Sequence, residues 1–379
     1  MKLIAFLGTG EYKCVTYRWN DHTYETSFVQ EAFVHWLKPE MTYVLLTERA
    51  QAENWGKLCD KLKRHTQMVE EIKIPDGKSE EELWEIFAAI SKAVQEGDEI
   101  VFDITHGFRS LPMIALLTIA YLKQVKGVKV QHVVYGVYEK DNPMAPILDL
   151  TLFADLLDWL AAAKMFITTG DSSELGQLIQ DVQDAAHRNK EAYGDSLPLA
   201  LKNFGAALKE VSNDLLLARV SNLPKSVRKL AERQSAANTE VPQWARPLTL
   251  LLDKIADAYE PFQDDSLPTQ AKLIRWYLDH NHIVQAMTLA REWVVSYHLH
   301  KEGRDWRSRK EREQMEKRLG ESLQQDSLWS KIAEIRNDLA HCGFGRAEWQ
   351  MLSATSIRQN AEEVVKQIER LAQQEAVDG

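Results

Sequence analysis

The chain has 379 residues, a formal net charge of −10, and 45% hydrophobic and 27% charged positions. That length supports two or three domains with their own cores, while the acidic balance speaks against a general nucleic-acid coat protein, which needs a broadly basic surface. Three scattered cysteines, Cys14, Cys59 and Cys342, form no C-x-x-C pair and support neither a disulfide framework nor a cysteine zinc site.

The opening run Met1–Leu7 is too short for a signal-peptide core and reads as a first strand. No later stretch approaches the ~20 apolar residues of a membrane helix, so a cytoplasmic protein is expected. Strands are expected at Leu3–Leu7, Thr42–Leu46, Val69–Ile74, Glu99–Ile104 and Val130–Val137. Helices are expected between them, at Ser27–Leu37, Ala52–Leu62, Ser79–Gln95 and Leu111–Lys126, with Ser79 and Glu82 as a capping box. This alternation predicts an α/β domain over residues 1–150 with a parallel sheet. Ligands of such a sheet sit beyond the carboxyl ends of the strands. After Leu150 the pattern is almost wholly helical. Gly170–Ser173 reads as a break and cap, and a softer stretch, Pro261–Pro268, separates a helical segment 151–265 from a last all-α unit, 266–379. Residues 301–318 carry eight basic and five acidic positions and read as a solvated helix or loop, with RNA contact as the alternative.

Gly8-Thr9-Gly10 follows the first strand, but Lys13 stands where a dinucleotide fingerprint needs its third glycine. The insert Glu11–Thr26 holds Tyr12, Lys13, Tyr17, Arg18, Trp19 and Tyr24, a mixture suited to stacked bases and phosphates. The sharper signal is Asp103-Ile104-Thr105-His106-Gly107-Phe108-Arg109-Ser110-Leu111-Pro112, a strand end feeding a helix that has Pro112 in its first turn. Unsatisfied N–H groups at a helix start, with Arg109 beside them, make an anion-receptive corner. His106 is either a base or, as is commoner for a lone histidine at a strand end, a packing residue. Phe108 reads as packing, and Asp103 as a tie to the backbone of the corner.

These two loops together resemble the CARF domain, the CRISPR-associated Rossmann fold. The resemblance implies a homodimer whose strand-end loops form one pocket for a cyclic oligoadenylate, cyclic tetra-adenylate first and hexa-adenylate second. It assigns ligand contacts to Thr9, Gly10 and Glu11 and to Thr105, His106, Gly107, Phe108, Arg109 and Ser110. A two-fold ring of phosphates suits an isologous dimer.

Downstream, Arg336-Asn337-Asp338-Leu339-Ala340-His341 fits the R-x4-H pattern of HEPN ribonucleases. Arg275 and His280 fit the same spacing, and Arg291 and His298 a looser one, so spacing alone does not choose among them. Asn337, a helix stop at Cys342-Gly343 and the position behind a CARF-like domain favour Arg336. On a regular helix Arg336 and His341 leave the axis ~140° apart. Glu292 either pairs with Arg291 or reaches Arg336. The resemblance implies a Rossmann-like CARF domain followed by an all-α HEPN region. That protein would be an endoribonuclease cutting single-stranded RNA with Arg336, Asn337 and His341 as catalytic residues. The reaction uses the 2′-OH as nucleophile and needs no resident metal or cofactor. Breakdown of the activator in the CARF pocket, found in some relatives, stays open. The alternative is a non-catalytic CARF sensor acting as a DNA-binding or adaptor protein.

Overall fold

The computed structural model describes residues 1–107, 110–139, 142–194, 196–321, 327–344 and 351–378. It divides into two compact units, Met1–Asp158 and Trp159–Gly379.

The first unit is built on an eight-stranded sheet: β1 (Lys2–Leu7), β2 (Val15–Trp19), β3 (His22–Thr26), β4 (Met41–Leu46), β5 (Val69–Lys73), β6 (Glu99–Asp103), β7 (Lys129–Gly136) and β8 (Met144–Asp149). The spatial order is β3-β2-β8-β7-β6-β1-β4-β5. The five strands from β7 to β5 are mutually parallel, and the apolar runs of β1, β4 and β6 fit strands covered on both faces. Alternate residues of β1 face opposite layers. Leu3 and Leu7 pack with Val29 and Phe33 of α1 (Val29–Leu37), whereas Ile4 and Phe6 lie in the other layer.

Three short elements then follow β4: α2 (Glu48–Ala50), a π-turn (Gln51–Trp55) and α3 (Gly56–Leu62). Helices α4 (Glu80–Ala93) and α5 (Leu111–Lys126) cover the second face through Ile86, Ile90, Ala115 and Ile119. Ser79 caps α4 by accepting from Glu82 N–H at 3.2 Å. The returning Glu82 carboxylate reaches Lys78 N–H, one residue earlier than a capping box places it.

Two features differ from the sequence expectation. From Val15 to Thr26 the insert is not a loop: β2 and β3 form an antiparallel hairpin that extends the sheet. Tyr17 and Trp19 are core residues, 3% and 8% exposed, and Tyr24 stacks on His35, so these rings are not open stacking platforms. Strand β8 is also added, antiparallel to β7 and parallel to β2. Its Pro146 closes the β2 register and accepts from Val137 N–H at 2.8 Å, so its missing N–H falls only at the end of the β7 ladder.

The second unit is helical. It begins within α6 (Thr151–Thr169) and continues with α7 (Ser173–Arg188), α8 (Lys190–Tyr193), α9 (Leu201–Leu216), α10 (Leu223–Ala237), α11 (Val241–Trp244) and α12 (Leu252–Tyr259). Then come α13 (Leu267–Asp279), α14 (Ile283–Lys301), α15 (Arg309–Glu321), α16 (Ser327–Ala340) and α17 (Ala354–Asp378). Gly170, at φ +73°, makes the expected break between α6 and α7. One continuous apolar core runs from Trp159 to Ala372 and includes Phe204, Tyr277, Trp293, Ile335 and Val365. The charged segment folds into α15, with Arg312 donating to Glu292 at 2.6 Å and Arg318 paired with Glu302. Among the described residues no helix is long and apolar enough to cross a membrane.

Candidate functional site

Strands β1 and β6 are neighbours, with Ala5 opposite Asp103, so the loops that leave them lie side by side at the carboxyl edge of the sheet. A Cβ built on Gly8 would stand 3.7 Å from His106 Cβ, which measures how closely the two loops approach. Thr9, Gly10 and Glu11 are exposed, while Thr105, His106, Gly107 and Ser110 are half-buried. Phe108 and Arg109, assigned to the ligand loop from sequence, lie outside the described residues.

The glycine loop is held from below. Gly8 N–H donates to the Tyr12 hydroxyl at 2.8 Å, and the Asn54 amide donates to Gly8 O at 3.1 Å and Gly10 O at 3.0 Å. The Tyr12 ring packs on Phe28 and meets the edge of His106 at 4.7 Å. Sequence reading missed Asn54 and the tie made by Tyr12. Asn54 does leave a trace, as the one polar member of the buried row Ala50, Asn54, Leu58, Leu62.

The second loop turns on Asp103, which is fully buried. Its Oδ1 accepts from Thr105 N–H at 2.9 Å and from the Thr105 hydroxyl, which in turn accepts from Gly136 N–H at 2.8 Å. Oδ2 has no partner among the described residues. Burial pushes the Asp103 carboxyl up to about 7, the Thr105 bonds opposing it. Burial also lifts the Tyr12 and Tyr17 phenols, with Asp103 adding to both. His106 is pushed down to about 4 by burial, so its imidazole is neutral at physiological pH, and its Nε2 is enclosed without a partner among the described residues. Gly107 is required by contact: a Cβ there would meet Pro112 Cγ at 3.0 Å. The corner is therefore tied down by side-chain bonds to its backbone, with a neutral His106 and an Asp103 that gives up its proton only near neutral pH.

In the second unit the three Arg/His pairs separate clearly. Arg275 grips Glu369 with two bonds of 2.8 Å and Glu362 at 2.9 Å, and His280 stacks on Trp276 at 4.1 Å. Arg291 pairs with Glu316 and Glu292, and Glu292 also holds Arg312, so this carboxylate serves Arg291 and not Arg336. Arg336 is half-buried on α16, Asn337 and His341 are exposed, and none of the three side chains takes part in a hydrogen bond or ion pair among the described residues. The helix stays regular up to His341, whose N–H donates to Asn337 O at 3.1 Å. Among the described residues no group of His, Cys, Asp and Glu could hold a metal ion.

Residues 2–141 match the family model of the CARF domain of the CRISPR system endoribonuclease Csx1. Residues 155–263 match that of the second domain of the CRISPR-associated protein MJ1674. The CRISPR-associated protein MJ1674 of Methanocaldococcus jannaschii is 30% identical over 110 residues, which cover 28% of this chain and 17% of that protein. The chain thus spans about a sixth of that curated relative. With a Rossmann-like sheet, two loops on adjacent strand ends and these two successive matches, residues 2–141 are similar to the CARF domain and the segment that follows them to a second domain of a CRISPR-associated protein.

Proposed function

We propose that this protein is an endoribonuclease of type III CRISPR defence, switched on by a cyclic oligoadenylate bound at the CARF loops. The observation that carries the catalytic part is the contrast among the Arg/His pairs. Arg275 and Arg291 are committed to carboxylates, whereas Arg336, Asn337 and His341 keep their polar groups uncommitted among the described residues. A guanidinium left without a carboxylate is available to a phosphate.

RNA supplies its own nucleophile. The 2′-OH attacks the adjacent phosphorus, the P–O5′ bond breaks, and a 2′,3′-cyclic phosphate and a 5′-OH result. His341 takes or returns the proton as general base or acid. Arg336 holds the phosphate and offsets its developing charge, and Asn337 orients the phosphate or the imidazole. Because Arg336 and His341 diverge on a regular helix, the cleft draws on two chains. Self-association is supported by an exposed apolar row on α5 (Met113, Leu117, Tyr121 and Val125) and by Leu152, Phe153 and Leu156 at the start of α6. Activation requires that the cyclic nucleotide bind the cleaving arrangement of the dimer better than the resting one.

The test is a fluorescent single-stranded RNA incubated with cyclic tri-, tetra- or hexa-adenylate. Cleavage that depends on one ring size and yields cyclic-phosphate ends is expected. No cleavage with any ring would leave the sensor without this output.

A further inference from the structure

The peptide planes of the glycine loop are set by one side chain. Asn54 is 5% exposed and lies in the π-turn after β4. A wider turn keeps every fourth residue on one side, which carries the row Ala50, Asn54, Leu58 inward. A buried amide in an apolar row is costly unless bonded, and Asn54 bonds the Gly8 and Gly10 carbonyls at 3.1 and 3.0 Å. Both partners are acceptors, so the amide nitrogen must face them. In a trans peptide the C=O and the following N–H point in opposite directions. Drawing the Gly8 carbonyl down therefore turns Thr9 N–H away from Asn54, and drawing the Gly10 carbonyl down does the same for Glu11 N–H. No hydrogen bond among the described residues uses either N–H, and both residues are exposed. Gly8 N–H, by contrast, is already taken by Tyr12.

We propose that Asn54 is the positioning residue of the activator pocket: it aims Thr9 N–H and Glu11 N–H together at a phosphodiester group of the cyclic nucleotide. Two N–H groups, two residues apart and turned the same way, make an anion-receptive concavity without a formal charge. Asn54 acts from behind the loop and does not touch the ligand. The inference rests on the reading of the CARF loops as the cyclic-oligoadenylate site.

The test measures binding of cyclic tri-, tetra- and hexa-adenylate by calorimetry to the full chain, its Asn54→Ala variant and its Asn54→Asp variant, with melting temperatures alongside. Asn54→Ala is expected to bind roughly 10- to 100-fold more weakly, as for the loss of one or two hydrogen bonds. Asn54→Asp, which has no donor for the two carbonyls, should bind no better. In the RNase assay the half-maximal activator concentration should rise while the rate at saturating activator stays unchanged, a split that general destabilisation does not produce. Wild-type binding with unchanged affinity in both variants would overturn the inference alone. A wild-type protein that binds none of the three rings would overturn the reading beneath it as well. If the variants do not fold, hydrogen exchange on the wild type decides: Thr9 and Glu11 N–H should exchange freely without nucleotide and become protected with it, and their continued free exchange in the complex would overturn the assignment.

Discussion

Thr105 bonds Asp103 twice, through its backbone N–H and through its hydroxyl, and still leaves the second carboxylate oxygen buried without a partner among the described residues. Burial outweighs the two bonds and lifts this acid to about 7. An acid raised above its unfolded value of ~3.9 stabilises the fold through its proton. That contribution is whole below about pH 4 and is lost as pH rises through about 7. Asp103→Asn keeps the acceptor for Thr105 and removes the titration. The stability of the wild type relative to this variant should fall by about 2 to 3 kcal/mol between pH 5 and pH 8. Urea denaturation of both proteins across that range checks the trend, and a difference that stays flat with pH contradicts it.

The Arg336/His341 and Arg275/His280 pairs should respond differently to substitution. His341→Ala or Arg336→Ala should lower cleavage by about 100- to 10,000-fold, the usual range for a lost proton-transfer or charge-stabilising group. Nucleotide binding should be unaffected in both. Arg275→Ala should instead cost about 1 kcal/mol of stability, because its partners Glu362 and Glu369 are partly exposed and screened. Cleavage at saturating activator should survive that change. Single-turnover rates and melting curves on the three variants separate the roles. Full activity in His341→Ala would remove α16 as the catalytic helix.

The row Met113, Leu117, Tyr121, Val125 repeats every four residues along α5 and remains exposed. If this face joins two copies, Leu117→Glu combined with Tyr121→Glu should weaken self-association by at least ~100-fold, as expected when central apolar anchors become charged. Sedimentation velocity would read the change directly. Cleavage should fall with it if, as proposed, each cleft draws on both chains. An unaltered sedimentation profile would show that this face is not the contact.

The central parallel strands β1, β4 and β6 were legible because each is a short apolar run facing two covered layers, and Leu111–Lys126 matches its helix end to end. The β2–β3 hairpin was harder to read. Val15, Tyr17 and Trp19 alternate with Thr16 and Arg18 as a half-buried strand should, yet the same aromatics and cations also resemble a nucleotide-contacting loop. Strand β8 was hidden by Pro146, which ordinarily argues against an interior strand. At the site, the loop residues were legible as motifs, but the support beneath them was not. Asn54 and Tyr12 act through bonds to backbone atoms 44 or 46 residues away and 4 residues away, respectively, and such pairings appear only once the strands are in register.

The last prediction concerns the turn that carries His341. Helix α16 ends in a Schellman arrangement: Gly343 N–H donates to Asp338 O at 3.0 Å and Cys342 N–H to Leu339 O at 3.2 Å. The position that glycine usually fills in this turn is occupied by Cys342, at φ +54°. A side chain there crowds its own backbone, and glycine does not. Cys342→Gly should therefore stabilise the protein by about 1 kcal/mol, offset in part by the greater freedom of glycine in the unfolded chain. Cys342→Val should destabilise it by at least as much, because a β-branched residue is least tolerant of positive φ. His341 is the residue at which the helix ends, so its direction depends on the same turn. Cleavage should be retained in Cys342→Gly and reduced in Cys342→Val, with nucleotide affinity unchanged in both. Chemical denaturation and RNase rates measured together on the two variants check the link, and equal rates in both would show that the turn does not govern the histidine.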